Sequence, residues 1–162
     1  LDFVNGDERD MGHVVLGVVV TAGFALAATA GLIVKPPRLI AVQTAGCAPL
    51  DRAWRKMAAT RPTDAARHRS HFMWPWESVP HSIAHGILDD ETYDWLEIVK
   101  VMQQTGGRSL VVDEGTLAKA YELGRQLTGI PASATGSAGL AGLMADPSHS
   151  GPVTVVFSGV DR

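Results

Sequence analysis

Residues 14–34 form a run of 21 positions without a charged side chain, and no other feature constrains the fold of this chain as strongly. A run of that length is long enough to span a bilayer. Its flank argues against export, because Asp7, Glu8 and Asp10 precede it where a secretory signal would carry positive charge. Its interior also changes character partway along. Residues 14–20 are rich in valine, residues 24–32 are rich in alanine, and Thr21, Ala22 and Gly23 stand between them. We read this as a buried strand, a tight turn and a buried helix. A parallel strand covered on both faces loses the polar alternation of a half-exposed one, which is the pattern at 14–20. A membrane span is the competing reading, since hydropathy alone does not separate the two.

The rest of the chain continues the alternation. The Lys-Pro-Pro-Arg sequence at 35–38 ends the helix and favours extended backbone. Residues 39–43 then read as a second buried strand, so that 14–43 make a right-handed parallel βαβ unit. Residues 48–59 read as a helix with Pro49 in its first turn. Residues 61–71 are polar and basic and read as an exposed connection, and 72–80, with Trp74 and Trp76, as irregular, packed chain. Asp89, Asp90 and Glu91 suit the start of a helix running to Gln104, closed by Gly106 and Gly107. A strand at 109–112 leads to Asp113, which caps a helix through Leu127 that Gly129 and Pro131 end. Residues 134–144 read as a helix after a Thr-Gly-Ser turn, and 153–157 as a last buried strand. The expected fold is α/β: one domain over 1–162, three-layer α/β/α, with a mostly parallel sheet.

Composition excludes several classes. With 46% hydrophobic and 19% charged residues in 162, the chain is not disordered. A net charge of -3 from 14 basic and 17 acidic side chains offers no basic face for nucleic acid. Cys47 is the sole cysteine, so no intrachain disulfide forms, and a reducing cytoplasm is the simplest compartment.

Four small constellations have a chemical reading and a plainer one. His81 and His85 are four apart, a spacing that puts two ligands on one helix face. Ser82 follows His81 where a zinc-hydrolase helix carries its glutamate, and a third ligand would have to be His68 or His71, so no metal site is assigned. Asp89, Asp90 and Glu91 could act as paired carboxylates, but helix capping accounts for them more simply. Cys47 lacks a histidine partner in sequence and reads as buried and structural. Trp74 and Trp76 read as packing, because no basic stripe interleaves them.

Five segments, taken in order, carry a family resemblance. Residues 37–50 run Pro37-Arg38-Leu39-Ile40-Ala41-Val42-Gln43 and then Ala45-Gly46-Cys47-Ala48-Pro49-Leu50. Ser82-Ile83-Ala84 is followed by Ile87 and Trp95, and Gly106-Gly107 by Val112-Asp113-Glu114. Thr135-Gly136-Ser137-Ala138-Gly139-Leu140-Ala141-Gly142-Leu143 comes next, and Phe157-Ser158-Gly159-Val160 closes the series. Order and spacing resemble the C-terminal half of threonine synthases and their relatives, the β-family (fold type II, tryptophan synthase β-like) pyridoxal-phosphate enzymes.

The resemblance implies pyridoxal 5'-phosphate as cofactor. It implies a threonine synthase-like lyase or synthase of amino-acid metabolism, acting on a hydroxy-amino acid or its phosphate ester by β/γ-elimination or replacement. In such enzymes a hydroxyl bonds the pyridine nitrogen, and by position Thr135 carries that role, with Ser137 as the alternative. Read from the residues alone, both hydroxyls cap the helix that follows. The phosphate turn would fall at Thr21 to Gly23, with one glycine where several are usual and Phe24 crowding it. The Schiff-base lysine of the family lies upstream of every matched segment. Lys35, Lys56, Lys100 and Lys119 are the only lysines, and none matches that motif, so no catalytic residue is assigned. The expectation is therefore a half-enzyme that pairs with a missing N-terminal half or self-associates, without a membrane or nucleic-acid partner. The alternatives are a non-catalytic remnant serving as an interaction module and, behind it, a membrane-anchored protein.

Overall fold

The computed structural model describes residues 23–24, 26–57, 62–146 and 151–161. Two strands, β1 (Ile40–Thr44) and β2 (Arg108–Val112), pair in parallel, with Ile40 opposite Arg108 and Thr44 opposite Val112. Side chains alternate across a strand, and here the alternation divides the core in two. Leu39 and Ala41 pack into one apolar cluster, whereas Val42 packs into the other. The sheet is therefore covered on both faces, as a parallel sheet requires.

The Ala41 side is covered by α1 (Pro49–Met57), α2 (Pro62–Arg67), α3 (Arg69–Phe72) and α4 (Trp95–Thr105). Its cluster includes Leu50, Ala53, Met57, Phe72, Trp95, Val99 and Met102. Phe72 and Trp95 stack with ring centroids 5.7 Å apart and 19° between planes. The Val42 side is covered by α5 (Glu114–Thr128) and α6 (Ala138–Ala145), through Leu117, Ala120, Ala138 and Ala141. Alanines on these facing surfaces let the helices approach closely, so this layer is thinner in side-chain volume than the other.

The helix ends follow local chemistry. α4 stops at Gly106, whose φ of 69° is a left-handed conformation that costs glycine little. Asp113 caps α5 by accepting from the Thr116 amide at 2.8 Å and the Thr116 hydroxyl at 2.9 Å. These two donors hold the Asp113 carboxyl below its ordinary range.

Several elements differ from the sequence reading. Residues 61–71 are not a bare connection: they carry α2 and α3, because Ala65 and Phe72 reach the core and a helix satisfies the intervening backbone. Asp89, Asp90 and Glu91 do not open α4. The helix begins at Trp95, where a large side chain can be buried, and Glu91 pairs instead with Arg69 at 2.5 Å. His81 and His85 share no helix face, since only His85 is in a helical turn, the three-residue 3-10 stretch His85–Ile87. Among the described residues no group of three His, Cys, Asp or Glu side chains could hold a metal ion. Residues 153–157 form no strand, and Val153 and Val156 are 47% and 48% exposed. The expected strand at 14–20 lies outside the described residues. Gly23 is helical, not part of a turn. No helix among the described residues is long and apolar enough to cross a membrane.

Candidate functional site

In open parallel sheets, ligands bind beyond the carboxyl ends of the strands. Here β1 runs into Gly46 and β2 into Asp113 and Glu114, and both exits meet one loop, residues 81–86. A Cβ on Gly46 would land on the His81 carbonyl oxygen, so backbone passes directly over backbone at that point. The loop contains little regular structure, and its amides need partners from side chains. Ile83 N–H donates to Glu114 Oε2 at 2.9 Å, Ala84 N–H to Ser82 Oγ at 3.1 Å, and Gly86 N–H to Thr135 Oγ1 at 2.9 Å. Three side-chain oxygens from three parts of the chain thus set the shape of this loop.

The Thr135 side is equally tied. Ser133 Oγ accepts from Gly136 N–H at 3.0 Å, and Ser133 N–H donates to the Gly159 carbonyl at 3.0 Å. Thr135 is half-buried and Ser137 is fully buried. The expectation that these hydroxyls cap α6 is overturned. Ser137 occupies the cap position without a side-chain bond to the helix, and the Thr135 oxygen serves Gly86, 49 residues away. Ser137 Oγ is buried with no hydrogen-bond partner, the kind of orphan that costs free energy in a closed core. Glu114 and Ser82 were visible in sequence only within motif segments, and nothing in their spacing shows that they hold a loop.

The other named residues lie apart from this cluster. Thr21 is outside the described residues. Gly23 is exposed and helical, and a Cβ there would meet nothing within 4 Å. Of the lysines, Lys35 and Lys119 are exposed. Lys56 lies over the Trp74 ring at 4.4 Å, and Lys100 pairs with Glu97 at 2.7 Å. Tested against these contacts, pyridoxal phosphate fits in part. Thr135 Oγ1 already accepts one proton, which leaves its own to donate to a ring nitrogen. The described residues do not supply the phosphate cradle.

Cys47 is buried behind the β1 exit and donates its S–H to the Asp89 carbonyl at 3.2 Å. Burial pushes the thiol up to about 11; the Asp89 and Asp90 carboxylates add to the rise, and Arg52 opposes it. The thiolate is the reactive form, so the folded chain is expected to resist a disulfide reagent at pH 8 and to react at once in denaturant. Rapid labelling of native protein would contradict this burial.

Beside the β1 exit, Ala45, Ala48, Asp51, Arg52, Arg55, Trp76, Glu77 and Val111 line an open groove of about 400 Å³. Its charges are paired, Arg52 with Glu77 and Arg55 with Asp51, each at 2.7 Å. Arg52 also lies over the Trp74 ring at 3.7 Å, so the tryptophans pack around an arginine, in line with their reading as packing residues.

No protein-family profile and no curated protein matches the chain. Among solved structures it is similar to the crystal structure of the T.th. threonine deaminase, with a TM-score of 0.51 and 19% identity. The likeness covers 90% of this chain and 55% of that one. The chain thus spans about half the length of the enzyme it resembles. The likeness shows the fold: mixed α/β with a parallel sheet, of the fold type II kind found in pyridoxal-phosphate enzymes.

Proposed function

We propose that this chain is one wall of a pyridoxal-phosphate site in a fold type II amino-acid lyase or synthase. The observation that carries the reading is the Thr135 hydroxyl, half-buried where loop 81–86 meets residues 131–137 beyond the strand ends. Its lone pair accepts from the Gly86 amide, which leaves its own proton to serve as a neutral donor to the pyridine nitrogen. A hydroxyl does not hold a charged pyridinium as a carboxylate would. When bound, the cofactor supplies an electron sink for the substrate α-carbon. Ser137, sealed and unpartnered, becomes available only if the site opens.

None of the lysines lies in this cluster, so in this reading the Schiff-base lysine belongs to the lysine-bearing half that the family resemblance implies. The proposed reaction is threonine synthase-like elimination or replacement on a hydroxy-amino acid or its phosphate ester. Deamination of such an amino acid, the activity named for the T.th. enzyme, is the variant favoured by the structural likeness. A second reading, a non-catalytic module of the same fold, is favoured by the single glycine among residues 21–25, where the resemblance places a phosphate turn.

The test is a spectral titration of the full chain with pyridoxal phosphate, followed by borohydride reduction and mass analysis. We expect reversible binding without a single modified lysine, and an affinity about tenfold weaker in Thr135→Val, the cost of one hydrogen bond. Equal affinities would remove Thr135 from the site. Reduction onto one lysine would show a complete centre in this chain, and no binding at all would favour the non-catalytic module.

A further inference from the structure

We infer that residues 159–161 act as a clasp that positions the Thr135 hydroxyl, with Asp161 as the latch and a positioning residue. The importance of Thr135 to a cofactor rests on the reading above, whereas the clasp rests on separate contacts. Asp161 Oδ2 accepts from the Tyr121 hydroxyl at 2.7 Å and also from Arg125 Nη1, both on α5. Arg125 Nη1 in turn donates to the Tyr121 oxygen at 2.9 Å, so the three groups close a ring of hydrogen bonds. The Tyr121 hydroxyl is harder to ionise than usual, chiefly because it gives its proton to Asp161.

The latch ties the backbone beside it to the loop before α6. Asp161 N–H donates to the Pro131 carbonyl at 3.1 Å, Val160 bridges Ala132, and Gly159 accepts from Ser133 N–H at 3.0 Å. Side-chain packing contributes less here: Ile130 is 41% exposed and Val160 56% exposed, and of residues 130–135 only Ala132 is buried. Hydrogen bonds to 159–161 therefore set where this loop lies. From Ser133 the path runs through Gly136 to Thr135, and from Thr135 Oγ1 to the Gly86 amide. A charged carboxylate with two donors is a stronger tie than a neutral bond, although exposure to water reduces its worth. The consequence is that a change at Asp161 should be felt at Gly86, on the far side of Thr135.

The experiment is residue-resolved amide exchange on the full chain and on Asp161→Ala, Asp161→Glu and Tyr121→Phe. We expect Asp161→Ala to speed exchange of the Gly86 amide about tenfold by loosening its acceptor, with Val42 and Leu110 in the sheet unchanged. Tyr121→Phe should have a smaller effect in the same direction, and Asp161→Glu should restore part of the protection. Faster exchange confined to residues 131–133 and 159–161, with Gly86 unmoved, would reduce the clasp to a local staple and overturn the inference. If Asp161→Ala unfolds the chain, Tyr121→Phe decides by the same comparison. Pyridoxal-phosphate titration of Asp161→Ala beside Thr135→Val separates the two claims. Parallel losses of affinity support both; a Gly86 response with unaltered affinity in both variants keeps the clasp and removes the cofactor role of Thr135.

Discussion

A Trp95→Ala chain is expected to lose about 3–5 kcal/mol of stability, the range for emptying a large aromatic from a closed core. Trp95 is 3% exposed, begins α4, and stacks on Phe72 at the end of α3. Its ring therefore joins two helices that no strand connects. Met57, Met73 and Met102 are also buried in this cluster, and methionine adapts to irregular gaps, so part of the cavity should collapse. The loss belongs toward the lower end of the range if that repacking occurs. Chemical denaturation measures it directly, and a loss below about 1 kcal/mol would mean that Trp95 is not the keystone of this layer.

Gly136→Ala should cost about 2–3 kcal/mol and should disturb the candidate site more than any change in the core does. A Cβ at Gly136 would sit 2.7 Å from Gly159 N and overlap the Gly159 carbonyl oxygen. Both obstacles are backbone, so no rotamer change relieves the clash. The segment 131–137 must then move away from 159–161, carrying Thr135 from its bond to Gly86. Gly23→Ala is the control, because it is helical and open, and should be neutral or slightly stabilising. Denaturation midpoints of the two variants, with Gly86 exchange as a second readout, check the pair. Equal midpoints would show that the Gly136–Gly159 contact yields easily.

Much of the architecture was legible from local chemistry. The strands expected at 39–43 and 109–112 are β1, shifted by one residue, and β2, which starts one residue earlier, because short apolar runs between breakers have few other solutions. Asp113 and Gly106 mark helix ends in both readings, since capping and left-handed backbone depend on the residue itself. Elements whose existence depends on distant partners were less legible. Residues 61–71 look polar in a one-dimensional reading, yet Ala65 and Phe72 give them a buried side. Residues 153–157 have the composition of a strand, but a strand exists only through its neighbour, and among the described residues none pairs with it.

The candidate site divides in the same way. Thr135 and Ser137 were neighbouring candidates with one chemistry, and only position in the resemblance put Thr135 ahead of Ser137. Folding separates them by environment: one hydroxyl is half-buried and bonded to Gly86, and the other is sealed without a partner. By itself the sequence determined the α/β class and the positions of β1 and β2, both properties of residue identity and short-range order. Only the tertiary structure decided that Glu114, Ser82 and Thr135 hold one loop and that Asp161 reaches back to α5. Those contacts join residues 31 to 49 positions apart, and in the 2-residue case of Ser82 their meaning still depends on the other two. Hydrogen bonds between such distant groups depend on how the layers pack, which local propensity does not encode.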